Sequence, residues 1–223
     1  MVRSVLALAL LAPVGAFVAT PAVPSARAVP LMARKSDALP MLNAPPSLDG
    51  SYLGDVGFDP LQLSMIDFNF AEVLVPKARL EEGAALPTMY WMREAELKHA
   101  RLCMLAVTGY GAVDCGLTFP GAKYQGLTSL TAHNAGVESG AMGFLLLVIS
   151  FIEIISMVAL YEAANGSGRA AGDFALDPLA FCSDPAKKSV YQLAELKNGR
   201  LAMIAFSGMV TQSALLEKGF PYF

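Results

Sequence analysis

Three long apolar stretches dominate the second half of the chain, and a polar cluster opens two of them. The middle stretch is the simplest: residues 141–164 carry charge only at Glu153 and Glu162. Its twenty-four residues exceed the roughly 20 needed to cross a bilayer as a helix. The first stretch, about 88–117, turns fully apolar only from Leu102 to Val113, and the third, about 188–216, only from Leu201 to Leu215. Read as helix throughout, each is about thirty residues, or roughly 45 Å at 1.5 Å per residue. Such helices cross a membrane at a tilt, with their charged ends near one face. The pattern predicts an all-α membrane protein with three transmembrane helices, at about 88–117, 138–164 and 188–216.

The polar clusters are copies of each other. Residues 95–109 read AELKHARLCMLAVTG and residues 194–208 read AELKNGRLAMIAFSG, identical at nine of fifteen positions at an offset of 99. The approaches repeat as well: GDVGFDPL at 54–61 echoes GDFALDPL at 172–179, at an offset of 118. Asp-Pro before an apolar residue is a turn signal. The chain therefore reads as unit, extra helix, unit. With one helix between them, the two motif helices enter the membrane from the same side and are expected to cross as a pseudo-twofold pair. Residues 36–87, rich in Pro, Gly and acids, read as an extended surface segment with one short helix near 60–70. Residues 114–138 read as a loop between the first two helices.

Composition supports the membrane assignment: 55% of residues are hydrophobic, 16% are charged, and the mean hydropathy is +0.49. A net charge of −3 gives no support for nucleic-acid binding. Cys103, Cys115 and Cys182 are too widely spaced for a zinc or redox pattern. The first 36 residues hold no acid. Residues 1–16 have a signal-peptide pattern, and 17–34 look like a transit peptide. Prolines at 13, 21, 24 and 30 argue against a membrane anchor there. The mature domain is expected over 35–223. Basic residues near the motif side (Arg34, Lys35, Lys77, Arg79, Arg169, Lys187, Lys188) outnumber Lys123 and Lys218 on the other. That bias puts the N-terminus on the charge-retaining side.

Glu96 and Arg101 stand five residues apart, about 140° around a helix, so they are poor partners for each other. Glu195 and Arg200 repeat that spacing. Crossing the two helices instead allows Glu96 to meet Arg200 and Glu195 to meet Arg101. An unpaired charge at depth costs roughly 2.5–3.5 kcal/mol on insertion scales. Gly199, Ala202, Ala205 and Gly208 would permit close approach of the backbones. Two structural ion pairs would explain this much. His99 and Asn198 go further: they share one repeat position and are neutral groups with a lone pair. A Glu held by Arg is neutral as a unit and keeps a free oxygen. These are donors for one axial position on the metal of a flat macrocycle, such as a chlorophyll magnesium, which takes N or O and not thiolate. Glu153 is a further intramembrane carboxylate, with no basic partner on its own helix.

ELKHARLCML and ELKNGRLAMI resemble the first and third membrane helices of the light-harvesting chlorophyll-binding superfamily. The GDVGFDPL and GDFALDPL segments are similar to its loop motifs. The presequence, joined at Gly15-Ala16-Phe17, and the Pro-rich start of the mature chain resemble the red-lineage branch. That branch holds fucoxanthin or peridinin chlorophyll a/c proteins and red-algal-type photosystem I antennae. GLTSLTAHNAGVESGAMG (126–143) looks most like the photosystem I type. The resemblance implies magnesium ligation by Glu96, His99, Glu153, Glu195, Asn198 and Gln212, and at a further position by His133. Arg101 and Arg200 would be the ion-pair partners. Asp59, Pro60, Leu61, Asp177, Pro178 and Leu179 would hold carotenoid ends. The implied pigments are chlorophyll a, chlorophyll c and a fucoxanthin-, peridinin- or diadinoxanthin-type xanthophyll. The implied partners are a photosystem core, photosystem I first, with neighbouring antenna subunits and lipids of the plastid thylakoid, the N-terminus being stromal. Phe144 stands where related middle helices have Gln. A His ligand that green-plant members carry beyond the third helix has no counterpart before Phe223.

The resemblance implies an antenna and not an enzyme. A photoprotective member of the superfamily would need titratable lumenal acids, for which the 114–138 segment offers Asp114 and Glu138. A small transporter using Glu96, Glu153 and Glu195 would be colourless.

Overall fold

The computed structural model describes residues 34–66, 68–71 and 85–222. The presequence, Lys77 and Arg79 lie outside the described residues. Among those described there is no strand, only an isolated antiparallel bridge between Lys35 and Asn43. The α-helices are α1 (Thr88–Asp114), α2 (Ser129–Glu138), α3 (Ala141–Ala164) and α4 (Pro185–Leu216).

Local chemistry sets the helix ends. Pro87 precedes α1. Asp184 caps α4 by accepting from the Ala186 N–H, with Pro185 in the first turn where its missing N–H is harmless. Helix α2 corrects the expected loop. The Thr128 N–H donates to the Thr131 hydroxyl in a capping box, and ten residues follow as helix. Gly140, at φ 78°, then turns the chain into α3. The short helix expected near 60–70 shrinks to a 3₁₀ turn, Leu63–Met65.

Helix α3 is apolar on every side, and most of its surface is exposed. Only Ser156, Leu160 and Ala164 are buried along it. A helix of this kind needs a lipid or protein surround. By length and composition it is the one described helix able to cross a membrane. Helices α1 and α4 carry charged motifs in their first halves, which lower their hydropathy there.

Two small buried clusters hold the fold. In one, Leu160 and Ala164 of α3 pack on Ala71 and Leu86, with Phe70 stacked on Trp91. The other is the α1–α4 crossing, where Leu97, Ala100, Leu196, Gly199 and Ala202 are buried. At the far end of α1, Asp114 accepts from the N–H and hydroxyl of Ser129 and from the Phe220 N–H. One carboxylate thus joins α1, α2 and the C-terminal segment, so Asp114 is a structural hub.

Candidate functional site

The α1–α4 crossing brings the two motif copies face to face. A Cβ on Gly199 would overlap that of Ala100, so only glycine allows this approach. Gly208, by contrast, faces open space, and the close contact does not extend to it as expected. Nine residues further on is about 13.5 Å along the axis, and two crossing helices have diverged by then.

The crossing exchanges the charges. Arg101 Nε donates to Glu195 Oε1 at 2.6 Å, and Arg200 Nε donates to Glu96 Oε1 at 2.7 Å. Each arginine also reaches a loop: Arg101 Nη2 donates to the Gly172 carbonyl and Arg200 Nη1 to the Gly54 carbonyl, both at 2.9 Å. Gly54 (φ 72°) and Gly172 (φ 75°) take left-handed backbone that glycine favours. A Cβ on either would strike Leu196 or Leu97 respectively.

The loops repeat atom by atom. The Asp55 carboxylate accepts from the Gly57 N–H, and Asp173 from the Ala175 N–H. Asp59 accepts from the N–H groups of Leu63 and Ser64, and Asp177 from those of Phe181 and Cys182. Each Asp thus closes the turn that its Asp-Pro-Leu triplet begins. Leu61 and Leu179, after Pro60 and Pro178, remain 76% and 69% exposed, apolar surfaces at matching places. Burial pushes the Asp59 carboxyl up, but its hydrogen bonds outweigh that and leave it below the usual carboxylate range. Lys188, 2.9 Å away, holds the Asp173 carboxyl low as well.

The copies differ where the sequence repeat ends. Arg93 Nη1 lies 2.9 Å from Glu96 Oε2 and its Nη2 donates to the Leu53 carbonyl. Both Glu96 oxygens therefore carry a guanidinium, which corrects the expectation of a free oxygen there. Glu195 has one partner, Arg101, and its Oε2 makes no hydrogen bond among the described residues. Glu94, 1% exposed, accepts from both terminal nitrogens of Arg169 and from the Gly172 N–H. The Arg169 guanidinium lies over the Phe174 ring, 4.5 Å from its centroid. The sequence reading passed over Glu94 and Arg93. Their counterparts at 192 and 193 are Gln and Leu, so the repeat carried no signal for them.

His99 and Asn198 adopt the same posture. His99 Nδ1 lies 2.8 Å from the Ala95 carbonyl, and Asn198 Nδ2 donates to the Ala194 carbonyl at 2.8 Å. A carbonyl only accepts, so His99 Nδ1 bears the proton, and in the neutral imidazole Nε2 carries the lone pair. The Asn198 amide oxygen is left over in the same way. Both side chains are exposed. Gln212 is exposed near the end of α4. His133 is exposed on α2, not in a loop, with Nδ1 3.4 Å from Asn134 Oδ1.

Glu153 has no basic residue on its own helix, as expected, but finds one on another: Lys98 Nζ of α1 lies 2.7 Å from Glu153 Oε2 and 2.7 Å from the Ser156 hydroxyl. The partner lies 55 residues away, beyond any test confined to one helix.

Among the described residues, no three His, Cys, Asp or Glu side chains gather as they would around a chelated ion. Apart from Glu96, the donors are single and separated, each with an oxygen or nitrogen left over, and His99, Asn198, Gln212 and His133 are exposed. That set fits hard ions that need one axial ligand apiece.

Residues 44–214 match the family model for chlorophyll A-B binding protein. The chain is 33% identical over 179 residues to chlorophyll a-b binding protein 1B-21 of Hordeum vulgare, across 76% of this chain and 64% of that protein. It thus spans less than two thirds of the barley protein's length. It is 29% identical over 209 residues to photosystem I chlorophyll a/b-binding protein 5 of Arabidopsis thaliana, across 81% and 71%. It is 33% identical over 141 residues to a fucoxanthin-chlorophyll a-c binding protein of Chattonella marina var. antiqua, across 58% and 59%.

Proposed function

The chain belongs to the chlorophyll A-B binding protein family, and we propose that it is a light-harvesting subunit of the red-lineage kind that serves photosystem I. The observation that carries this reading is the reciprocal pairing of Glu96 with Arg200 and Glu195 with Arg101. Two acids are neutralised across a helix crossing while neutral donors stand outward beside them. The names of the Arabidopsis and Chattonella relatives support the photosystem I and red-lineage assignments.

In this reading α1, α3 and α4 span the thylakoid membrane, α1 and α4 crossing at a tilt. The motif ends and the mature N-terminus face the stroma, after a signal at 1–16 and a transit segment at 17–34 are removed from the 35–223 domain. His99, Glu153, Glu195, Asn198, Gln212 and His133 each present one donor to a chlorophyll magnesium, and Glu96 does so through a remaining lone pair of an oxygen that also accepts from an arginine. Arg101 and Arg200 offset the charge of the two motif acids and fix their positions. Arg93 makes Glu96 the more tightly held of the two. The Asp-Pro-Leu turns at 59–61 and 177–179 offer exposed apolar rims to xanthophyll ends. Chlorophyll, when bound, supplies absorption and excitation transfer. The protein fixes spacing and excludes water, and no bond is made or broken by its residues.

The test is the pigment content of the purified chain. Chlorophyll a with chlorophyll c and a xanthophyll is the expected extract, with co-migration of the chain and a photosystem I core on a density gradient. A colourless protein would overturn the antenna reading. Chlorophyll b in place of c would overturn the red-lineage assignment, and co-migration with photosystem II alone would overturn the choice of core.

A further inference from the structure

Helix α3 stands away from α1 along much of its length. A cavity of about 1030 Å³ lies there, walled by Leu97 and Arg101 of α1, Ile152 and Glu153 of α3, Phe174 of the second loop, and Glu195. Its size is at the upper end for small-molecule sites. Lys98 reaches across from α1 to Glu153.

Two of the acids lining this cavity, Glu195 and Glu153, are held alike. Glu195 Oε1 is bound by Arg101, and its other oxygen makes no hydrogen bond among the described residues. Glu153 Oε2 is bound by Lys98 and accepts from the Ser156 hydroxyl. Its Oε1 makes no hydrogen bond among the described residues, and the side chain is 53% exposed. Lys98 and Arg101 are three residues apart and share a face of α1. One turn of α1 thus supplies the counter-ion for a carboxylate on each of two other helices. Lys197, the repeat counterpart of Lys98, is exposed and makes no ion pair among the described residues. The helix motif therefore does not itself demand a lysine contact. Ser156 is buried, so the Lys98 ammonium is seated by two partners at fixed places on α3.

We propose that Lys98 is the positioning residue of the Glu153 pigment site: it neutralises Glu153 from the neighbouring helix and leaves Glu153 Oε1 as the magnesium donor for a chlorophyll held between α1 and α3. The proposal rests on the antenna reading and deepens it at one site. Without Lys98 the carboxylate carries an uncompensated charge in an apolar surround. It then turns toward water and no longer offers a fixed donor. A neutral amide at the same position needs no counter-ion.

The experiment counts chlorophylls per polypeptide in the pigment-loaded full chain, with the absorption difference spectrum as a second readout. Lys98→Gln is expected to lose one chlorophyll and Lys98→Arg to keep the full number, with Lys197→Gln as a control that loses none. The double variant Lys98→Gln with Glu153→Gln is expected to recover the lost chlorophyll, because the Gln amide oxygen ligates without a counter-ion. A merely structural strut predicts the opposite: lower thermal stability in Lys98→Gln with the full pigment number. That outcome overturns the proposal and leaves the antenna reading standing. If Lys98→Gln does not assemble, the double variant decides. A full complement supports the proposal, and assembly lacking one chlorophyll overturns it. A wild-type chain without chlorophyll would overturn both readings together.

Discussion

Arg101 Nε lies 2.6 Å from Glu195 Oε1, while the same guanidinium donates to the Gly172 carbonyl. One side chain on α1 therefore fixes a helix 94 residues away and the loop leading to it. Losing it leaves Glu195 unpaired and frees the loop. Arg101→Leu is expected to destabilise the assembled protein by on the order of 1–2 kcal/mol, less than for a fully buried pair because both side chains are about one third exposed. Arg101→Leu with Glu195→Leu should recover much of that loss, since no orphan charge remains, without recovering the chlorophyll assigned to Glu195. Thermal melts beside pigment counts check this. Equal stability of single and double variants would contradict it.

The crossing makes a prediction about two glycines. Gly199→Ala places a Cβ against Ala100, close to its backbone. Overpacking of this kind costs about 1–3 kcal/mol, and here it would separate Arg101 from Glu195 as well. Gly208→Ala meets nothing within 4 Å and should gain up to about 1 kcal/mol from helix propensity. Opposite signs for the two substitutions in a denaturation series are the expected result.

The second loop should loosen in acid. Lys188 donates to the Asp173 carboxylate, and the Ala175 N–H adds to it, holding Asp173 below the ordinary range. A carboxyl lowered in the folded state contributes stability in full above its ordinary pKa. That contribution fades as pH falls through the lowered value, below about pH 4. Hydrogen exchange across 172–182 is expected to rise there before exchange at the α1–α4 crossing does. Asp173→Asn should show the raised exchange already at neutral pH.

Much of this architecture was legible because the chain repeats itself. The five-residue spacing of Glu96 and Arg101 puts them on different faces, so the motif required a partner helix, and the structure shows the crossed pairs. The loop repeat was legible as a motif, although its hydrogen bonds were not. What escaped notice broke the repeat. Arg93 and Glu94 have Gln and Leu as counterparts, and Lys98, although repeated as Lys197, bonds to Glu153 on a helix that has no counterpart in the repeat. Helix α2 escaped because SLTAHNAGVE mixes polar and apolar residues without a clear stripe, and its start depends on the reciprocal Thr128–Thr131 bonds.

The most direct test of the central account uses two donors that stand in the repeated motif but take no part in its ion pairs. His99 and Asn198 are exposed and bond only to their own helix. Replacing either by Leu should leave the Glu–Arg pairs and the helix content intact. The decisive measurement is chlorophyll per polypeptide in His99→Leu and Asn198→Leu, purified beside the parent chain. The account predicts one chlorophyll fewer in each and two fewer in the pair, with unchanged far-ultraviolet circular dichroism. Full chlorophyll content in both variants would contradict it.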